Sequence, residues 1–150
     1  MICGVAWIIT GRVAVVIGAT SGLGRALAIG LAEHGATVVP AGRRQDRLAE
    51  VCRELEAAGS RTLCRKADIQ DRGSIDALRD AVLNEFGRVD AVVNAAGATL
   101  KQPTATMSEE DWSGLLNTNL TGVLCSDAAS FLTGECIAVD GGYLASGVNT

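Results

Sequence analysis

The sequence lacks the features that mark nucleic-acid-binding proteins. It has only two lysines, aromatic residues make up 3% of the chain, and 13 basic residues stand against 17 acidic ones, for a net charge of −4. No stretch concentrates lysine and arginine. Binding to nucleic acid needs a clustered basic surface, often with aromatic residues between the charges. The composition therefore argues against a nucleic-acid partner.

Long apolar runs are also missing. No run approaches the roughly 20 residues that span a bilayer. The first ten residues, MICGVAWIIT, are apolar but carry no positive charge and continue directly into a predicted strand. A signal peptide has a basic start, a longer apolar centre and a cleavage site. We therefore expect no signal peptide and no membrane partner.

The spacing of the cysteines predicts neither disulfides nor a metal site. There are five, an odd number, and their spacing matches neither a metal site nor a set of disulfide pairs. Most fall at predicted buried positions of helices or strands. We predict reduced core thiols, no metal site and a cytoplasmic location. The cysteines are Cys3, Cys52, Cys64, Cys125 and Cys136.

Glycine and aliphatic residues are abundant instead. The chain has 18 glycines and 48% hydrophobic residues in 150. This length suits one domain with a real core, and many glycines suit an α/β protein with many tight turns. We predict a single domain over residues 1–150.

Residues 12–34 form the most informative stretch. Val13 to Ile17 are apolar and mostly β-branched, three glycines follow at 18, 22 and 24, and apolar residues then recur at helical spacing at Leu23, Leu27 and Leu31. This pattern predicts a strand, a tight glycine turn and a helix. Such a turn directs backbone N–H groups and the positive end of the helix dipole at one point, where a pyrophosphate can approach. Ordinary turn formation is the alternative reading of the same glycines.

A second predicted strand, residues 37–41, ends at Gly42, Arg43 and Arg44. In a dinucleotide fold this position, about 20 residues after the glycine turn, selects between a ribose 2′-hydroxyl and a 2′-phosphate. An acidic residue would suit the hydroxyl, whereas the fixed guanidinium of arginine matches a phosphate. We therefore predict a preference for NADP(H) over NAD(H). A solvated helix start is the plainer interpretation of the two arginines.

The loop I-G-A-T-S-G-L-G at residues 17–24 resembles the T-G-x-x-x-G-x-G cofactor loop of the short-chain dehydrogenase/reductase family, with Ile17 in place of the usual threonine. Asp68, N-A-A-G at 94–97, N-L-T-G at 119–122 and the segments T-G-E at 133–135 and V-D-G-G at 139–142 resemble the family's later landmarks, in its order. The resemblance covers nearly the whole chain. It implies an NAD(P)(H)-dependent alcohol or carbonyl oxidoreductase, and hence a dinucleotide as partner. A homo-oligomer is a separate hypothesis.

The resemblance also implies roles for individual residues. Asp68 matches an aspartate at the adenine side of the cofactor pocket, and Asn119 matches the helix asparagine of the family's proton relay. As an alternative, Asp68 is an ordinary loop aspartate and Asn119 a packing residue. The predicted cofactor-binding residues are Gly18, Thr20, Ser21, Gly22, Leu23, Gly24, Arg43, Arg44, Asp68, Ile69, Asn94, Ala95, Ala96 and Gly97.

The remaining pattern alternates strands with helices. Helices are predicted over residues 46–58 and from residue 74 to Gly87, and short strands over residues 62–66 and 89–93. Ser108 begins a further helix in the manner of a capping box, with Asp111 where glutamate is usual. Alternation of this kind predicts a Rossmann-like, doubly wound parallel sheet, with order 3-2-1-4 plus a terminal strand. Its ligand crevice lies between strands 1 and 4.

The chain departs from the family after Cys125. The family's next strand with a catalytic serine, and the helix with Tyr-x-x-x-Lys, have no match, so a block is missing near 125/126. The single tyrosine, Tyr143, has Gly147 four residues on, and Lys66 and Lys101 are far from it. An isolated tyrosine with a pKa near ~10 is a poor proton donor at neutral pH.

Three interpretations of function remain open. In the first, the chain keeps the NADP(H)-binding half of an oxidoreductase and has little or no turnover. In the second, it is an active reductase in which Asp140, Tyr143, Ser146 or a partner subunit replaces the lost acid. In the third, it is a non-enzymatic module that joins full-length relatives through a strand at residues 137–139. The sequence does not name a substrate.

Overall fold

A single parallel sheet organises the structure, a computed structural model that describes residues 9–121. Its strand order is β3-β2-β1-β4, which confirms the predicted order 3-2-1-4. The predicted terminal strand and the junction at 125/126 lie outside the described residues. The strands are β1 (Val13–Ile17), β2 (Thr37–Gly42), β3 (Arg65–Lys66) and β4 (Ala91–Asn94).

Helices connect the strands as the alternating pattern predicted. They are α1 (Gly22–Glu33), α2 (Gln45–Ala57), α3 (Arg72–Phe86) and α4 (Glu109–Leu116), and a π-helical turn, Asn117–Thr121, continues α4. Asp71 caps α3 by accepting from the Gly73 N–H at 2.9 Å. Gly87 ends the same helix at φ +72°, a conformation that favours glycine. Ser108 caps α4 by accepting from the Asp111 N–H at 3.1 Å, as the capping pattern predicted.

The third strand is shorter than residues 62–66. Thr62 makes only an isolated bridge to Val38, and β3 itself pairs with Ala41 and Gly42. Between them, Leu63 packs against the hydrophobic core and Cys64 is bonded to Cys52. The ladder with β2 is therefore interrupted at Leu63 and Cys64.

The prediction of reduced thiols was wrong for two cysteines. Cys52 on α2 and Cys64 before β3 form a disulfide, with Cα atoms 6.2 Å apart. Their separation of 12 residues matches no familiar pattern, which is why spacing did not reveal the pair. The helix–strand return brings them together, and 6.2 Å lies within the usual Cα range for a disulfide.

Helix α1 faces the sheet with small residues rather than leucines. The leucines whose spacing predicted the helix are not its buried face, since Leu23 is 81% exposed and Leu27 is 48% exposed. Gly24, Ala28 and Ala32 are the buried positions. A Cβ atom at Gly24 would overlap the Gly18 carbonyl oxygen. The helix approaches the glycine turn so closely that only small residues fit beneath it.

The core has one cluster on each face of the sheet. Val15, Val39 and Val82 belong to the cluster beneath α3, and Val16, Val38 and Leu55 to the cluster beneath α1 and α2. Among residues 9–121, β4 is an edge strand, and Val92 on it is 56% exposed. No helix within residues 9–121 is long and apolar enough to cross a membrane.

Candidate functional site

A cleft of about 380 Å³ opens at the carboxyl edge of the sheet. It lies where β1 and β4 diverge into connections on opposite faces, the place where ligands bind in sheets of this kind. The predicted cofactor-binding residues that line it are Gly18, Thr20, Ser21, Arg43, Arg44, Asp68, Ile69, Ala95, Ala96 and Gly97. Ile17, Gly42, Ala67 and Thr118 complete the lining.

The glycine turn forms the floor of the cleft. Gly18 has φ +84°, and a Cβ atom there would lie 2.5 Å from the backbone of Ala95 and Ala96. This glycine therefore serves the contact between the turn and the end of β4. Gly22 also has a positive φ, +56°, but a Cβ atom there would meet no atom within 4 Å. Of the two, only Gly22 leaves open space next to its backbone.

The amino end of α1 faces this turn without a side-chain cap. Ser21 occupies the N-cap position, yet its side chain makes no capping hydrogen bond, and the first turn contains no acidic residue. The first N–H groups of a helix have no partner within the helix and carry partial positive charge. They can thus hold an anion.

Arg44 is fixed across one side of the turn. Its Nη2 donates to Thr20 Oγ1 at 2.9 Å and to Ser21 Oγ at 2.7 Å. Gly42 permits this approach, since a Cβ atom there would lie 2.7 Å from Thr20 Cγ2. One guanidinium and two hydroxyl groups therefore meet at the end of β2. Arg43 lines the same cleft and makes no hydrogen bond or ion pair within residues 9–121.

The opposite wall follows β3. Asp68 Oδ1 accepts from the Gln70 N–H at 3.1 Å, and the Asp68 N–H donates to Ser74 Oγ at 3.0 Å. These local bonds hold the loop against the first turn of α3, while Ala67 is buried beneath it. Asp68 and Ile69 face the cleft from this fixed loop.

The end of β4 closes the cleft from below. The Ala95 N–H donates to the Ile17 carbonyl at 2.8 Å, and Asn94 Oδ1 accepts from the Ala96 N–H at 3.0 Å. The Asn94 side chain thus turns the chain immediately after the strand. It shapes the loop but does not line the cleft. Gly24, in the first turn of α1, does not line the cleft either.

Asn119 holds the loop that follows β4. Its Oδ1 accepts from the Ala98 N–H and its Nδ2 donates to the Ala98 carbonyl, both at 2.9 Å. One side-chain amide therefore satisfies both backbone groups of Ala98. The structure thus shows a loop-holding contact for Asn119, and the proton-relay role stays a prediction.

Thr118 was missed by sequence reasoning. It is 4% exposed, lines the cleft, donates to the Gly114 carbonyl at 3.0 Å and accepts from Gln70 Nε2. It lies one residue before the N-L-T-G motif and belongs to no pattern of its own. The π-helical turn directs it inward, and such turns are frequent at functional sites.

The remaining predicted residues, Gly22 and Leu23, begin α1 outside the cleft lining. Leu23 is largely exposed beside the turn. Within residues 9–121, no group of three or more His, Cys, Asp or Glu side chains is placed to hold a metal ion.

Comparison with known proteins shows which family the chain resembles. A sequence model described as short chain dehydrogenase matches residues 12–132. An uncharacterized oxidoreductase of Staphylococcus epidermidis is 36% identical over 113 residues, which are 75% of this chain and 48% of the relative. The chain spans about half the length of the curated relatives it matches.

Two further matches name activities. The 3-oxoacyl-[acyl-carrier-protein] reductase of Thermotoga maritima is 34% identical over 113 residues, which are 75% of this chain and 46% of the relative. A crystal structure of actinorhodin polyketide ketoreductase with NADPH superposes with a TM-score of 0.73 at 38% identity, covering 76% of this chain and 44% of that one. Both proteins are reductases by name.

Proposed function

Because the chain belongs to the short-chain dehydrogenase family, we propose that its cleft binds a nicotinamide dinucleotide and prefers NADP(H) to NAD(H). The observation that carries the preference is the pairing of Arg44 with the Thr20 and Ser21 hydroxyls at the end of β2. Charge-assisted hydrogen bonds from a guanidinium are the usual means of recognising a phosphate. A 2′-phosphate placed there meets a donor set that is already assembled.

The residues present fit such a cofactor. Gly22 leaves space next to its backbone, the amino end of α1 has no side-chain cap, and small residues line the end of β4. The turn and helix end would hold the pyrophosphate, Arg43 and Arg44 the 2′-phosphate, and Asp68 with Ile69 the adenine side. The relative solved with NADPH, similar over 76% of this chain, supports the same reading.

We further propose that this chain binds the cofactor with little or no turnover. When bound, the nicotinamide supplies a hydride. Carbonyl reduction also needs a proton donor held close to the carbonyl oxygen. The printed sequence offers no serine, tyrosine and lysine in the family's arrangement after Cys125. Asn119, the matching relay residue, already uses its side chain on Ala98.

The experiment is a calorimetric titration of wild type, Arg44→Ala and Arg47→Ala with NADPH and NADH. Arg47 is the matched control, since it is an exposed arginine on α2 paired with Glu50 and outside the cleft lining. A hydrogen bond to a charged group contributes about 1.5–3 kcal/mol, which is roughly a 10- to 100-fold change in affinity. We expect Arg44→Ala to lose this much affinity for NADPH, and Arg47→Ala to lose none.

The NADH titration shows which part of the proposal fails, if one does. Equal wild-type affinity for the two cofactors would overturn the NADP(H) preference and leave dinucleotide binding intact. No binding of either would overturn the cofactor site itself. A turnover assay with a panel of carbonyl substrates separates the alternatives: turnover favours an active reductase with replaced catalytic groups, and oligomerisation without cofactor binding favours an interaction module.

A further inference from the structure

A lysine lies next to the cluster of Arg44 and the two hydroxyl groups, on the neighbouring strand. Lys66 is the last residue of β3, and its partner across the ladder is Gly42 at the end of β2. The lysine is exposed and makes no hydrogen bond or ion pair within residues 9–121. It lies outside the cleft lining, to which Gly42 belongs. A free ammonium group is therefore one strand away from the cleft.

The pairing of the strands decides to which face of the sheet Lys66 belongs. Successive residues of a strand point to opposite faces. Cys64, two residues before Lys66, is bonded to Cys52 on α2, so Lys66 shares the face that α1 and α2 cover. Arg65 pairs with Ala41, which belongs to the core cluster beneath α3. The two neighbouring cations therefore lie on opposite faces of the sheet.

Distances place Lys66 within reach of Arg44. Thr20 Oγ1 lies 3.6 Å from the point where a Cβ atom of Gly42 would be, and it accepts from Arg44 Nη2 at 2.9 Å. Since paired strands are about 4.8 Å apart, the Lys66 Cβ atom lies at most about 11 Å from that nitrogen. The flexible stem of a lysine extends about 5 Å beyond Cβ, so the ammonium group can come within about 6 Å of the guanidinium.

Neither of these two cations has an acidic partner. Arg44 donates to the Thr20 and Ser21 hydroxyl groups, and no carboxylate within residues 9–121 forms an ion pair with Arg44 or Lys66. Two cations this close repel each other unless an anion lies between them. The chain as a whole carries a net charge of −4, so this uncompensated pair is a local exception. A phosphate monoester, with about 1.5 to 2 negative charges at neutral pH, suits such a place.

We propose that Lys66 is a further specificity-determining residue for NADP(H), whose ammonium group contacts the 2′-phosphate from the side of β3 while Arg44 holds it from the side of β2. This inference rests on the proposed cofactor site. Lys66 belongs to no motif of the sequence, and only its pairing with Gly42 brings it to the cleft. An ammonium group acts as a compact point charge, so its contribution depends on charge more than on a fixed geometry.

The test is a calorimetric titration of wild type, Lys66→Gln, Lys66→Arg and Arg65→Gln with NADPH and NADH at low salt. Arg65 is the matched control, because it is adjacent, exposed and also without a partner within residues 9–121, but lies on the other face. We expect Lys66→Gln to lose about three- to tenfold in affinity for NADPH, and Arg65→Gln about twofold or less. Lys66→Arg should keep most of the affinity. NADH lacks the 2′-phosphate and should bind all four proteins equally.

Salt provides a second measurement that a merely structural role would not change. Screening weakens the contact between an exposed ammonium group and a phosphate, so the difference between wild type and Lys66→Gln should shrink at about 0.5 M salt. A loss of affinity in Lys66→Gln that is the same at low and high salt would contradict a direct charge contact and overturn the inference.

The outcomes separate this inference from the cofactor site itself. Unchanged NADPH affinity in Lys66→Gln, an equal loss in Arg65→Gln, or an equal loss for NADH would each overturn the role of Lys66 and leave the cofactor site intact. Equal binding of both cofactors by wild type would overturn the NADP(H) preference and this inference with it. Wild type that binds neither cofactor would overturn the cofactor site as well.

Discussion

The half of the molecule built from β1, β2 and α2 buries its large apolar residues, whereas the half built from β4 and α4 exposes them. Val16, Val38, Val39 and Leu55 have no exposed surface, while Val92, Trp112 and Leu116 are 37–56% exposed. The cleft lies between the halves, with most of its polar groups on the buried side. The contrast indicates that the glycine turn and β2 stand on a fully packed core, whereas β4 is an open edge among residues 9–121.

Substitution of Gly18 should destabilise the protein more than any other change at the cleft. Gly18→Val places a Cβ atom 2.5 Å from the Ala95 and Ala96 backbone. Overpacking of this kind costs about 1–3 kcal/mol, and a left-handed residue with a side chain costs about 1–2 kcal/mol more. We expect Gly18→Val to show both costs in urea denaturation.

Gly22→Val should lose stability only through the left-handed backbone conformation, with no overpacking. Gly87→Val is its control. At both glycines φ is positive and an added Cβ atom would meet no atom within 4 Å, but Gly87 lies at the end of α3, away from the cleft. We expect both variants to lose similar stability and only Gly22→Val to lose NADPH binding. Native affinity in Gly22→Val would show that this glycine only forms the turn.

The two halves also differ in what a leucine contributes. Leu55 on α2 is fully buried, and Leu55→Ala should lower the free energy of unfolding by about 2–5 kcal/mol. Leu116 on α4 is 37% exposed, and Leu116→Ala should change it by about 0.5 kcal/mol or less. Equal losses in urea denaturation would contradict the contrast between the two halves.

A weaker effect is expected from the ion pairs that join β1 to β4. The Asp90 carboxylate accepts from Arg88, from the Val13 N–H at 2.8 Å and from Arg12 at 3.1 Å, and these bonds lower the pKa of Asp90 to about 2. A folded-state pKa below the ordinary 3.8 stabilises the fold above that pH, and the contribution is lost as pH falls towards 2.

We therefore expect wild type to lose more stability than Asp90→Asn as the pH falls from the ordinary carboxyl pKa of 3.8 to about 2. The measurement is the urea midpoint of both proteins across this range. The difference between the two curves isolates Asp90 from the other carboxylates. If the urea midpoints of the two proteins fell in parallel with pH, the charge of Asp90 would not contribute to stability.

Patterns within the chain were sufficient to predict the order of elements, the glycine turn and the position of the two arginines. These features are local, because each depends on residues close together in the chain. They are the strand and helix periods, the caps at Ser108 and Gly87, and the turn at Gly18. The strand order followed from the alternation of strands with helices and from the family resemblance.

Which side chains meet, by contrast, depends on how the elements pack. Leucine spacing predicted the helix α1 but not its buried face: the close approach of Gly24 to Gly18 turns small residues inward, and Leu23 and Leu27 stay exposed. Spacing also hid the Cys52–Cys64 disulfide and the inward direction of Thr118. Each depends on the distance between elements, which a one-dimensional pattern does not contain. The hydrogen bonds and caps of a helix, by contrast, join residues only a few positions apart in the chain.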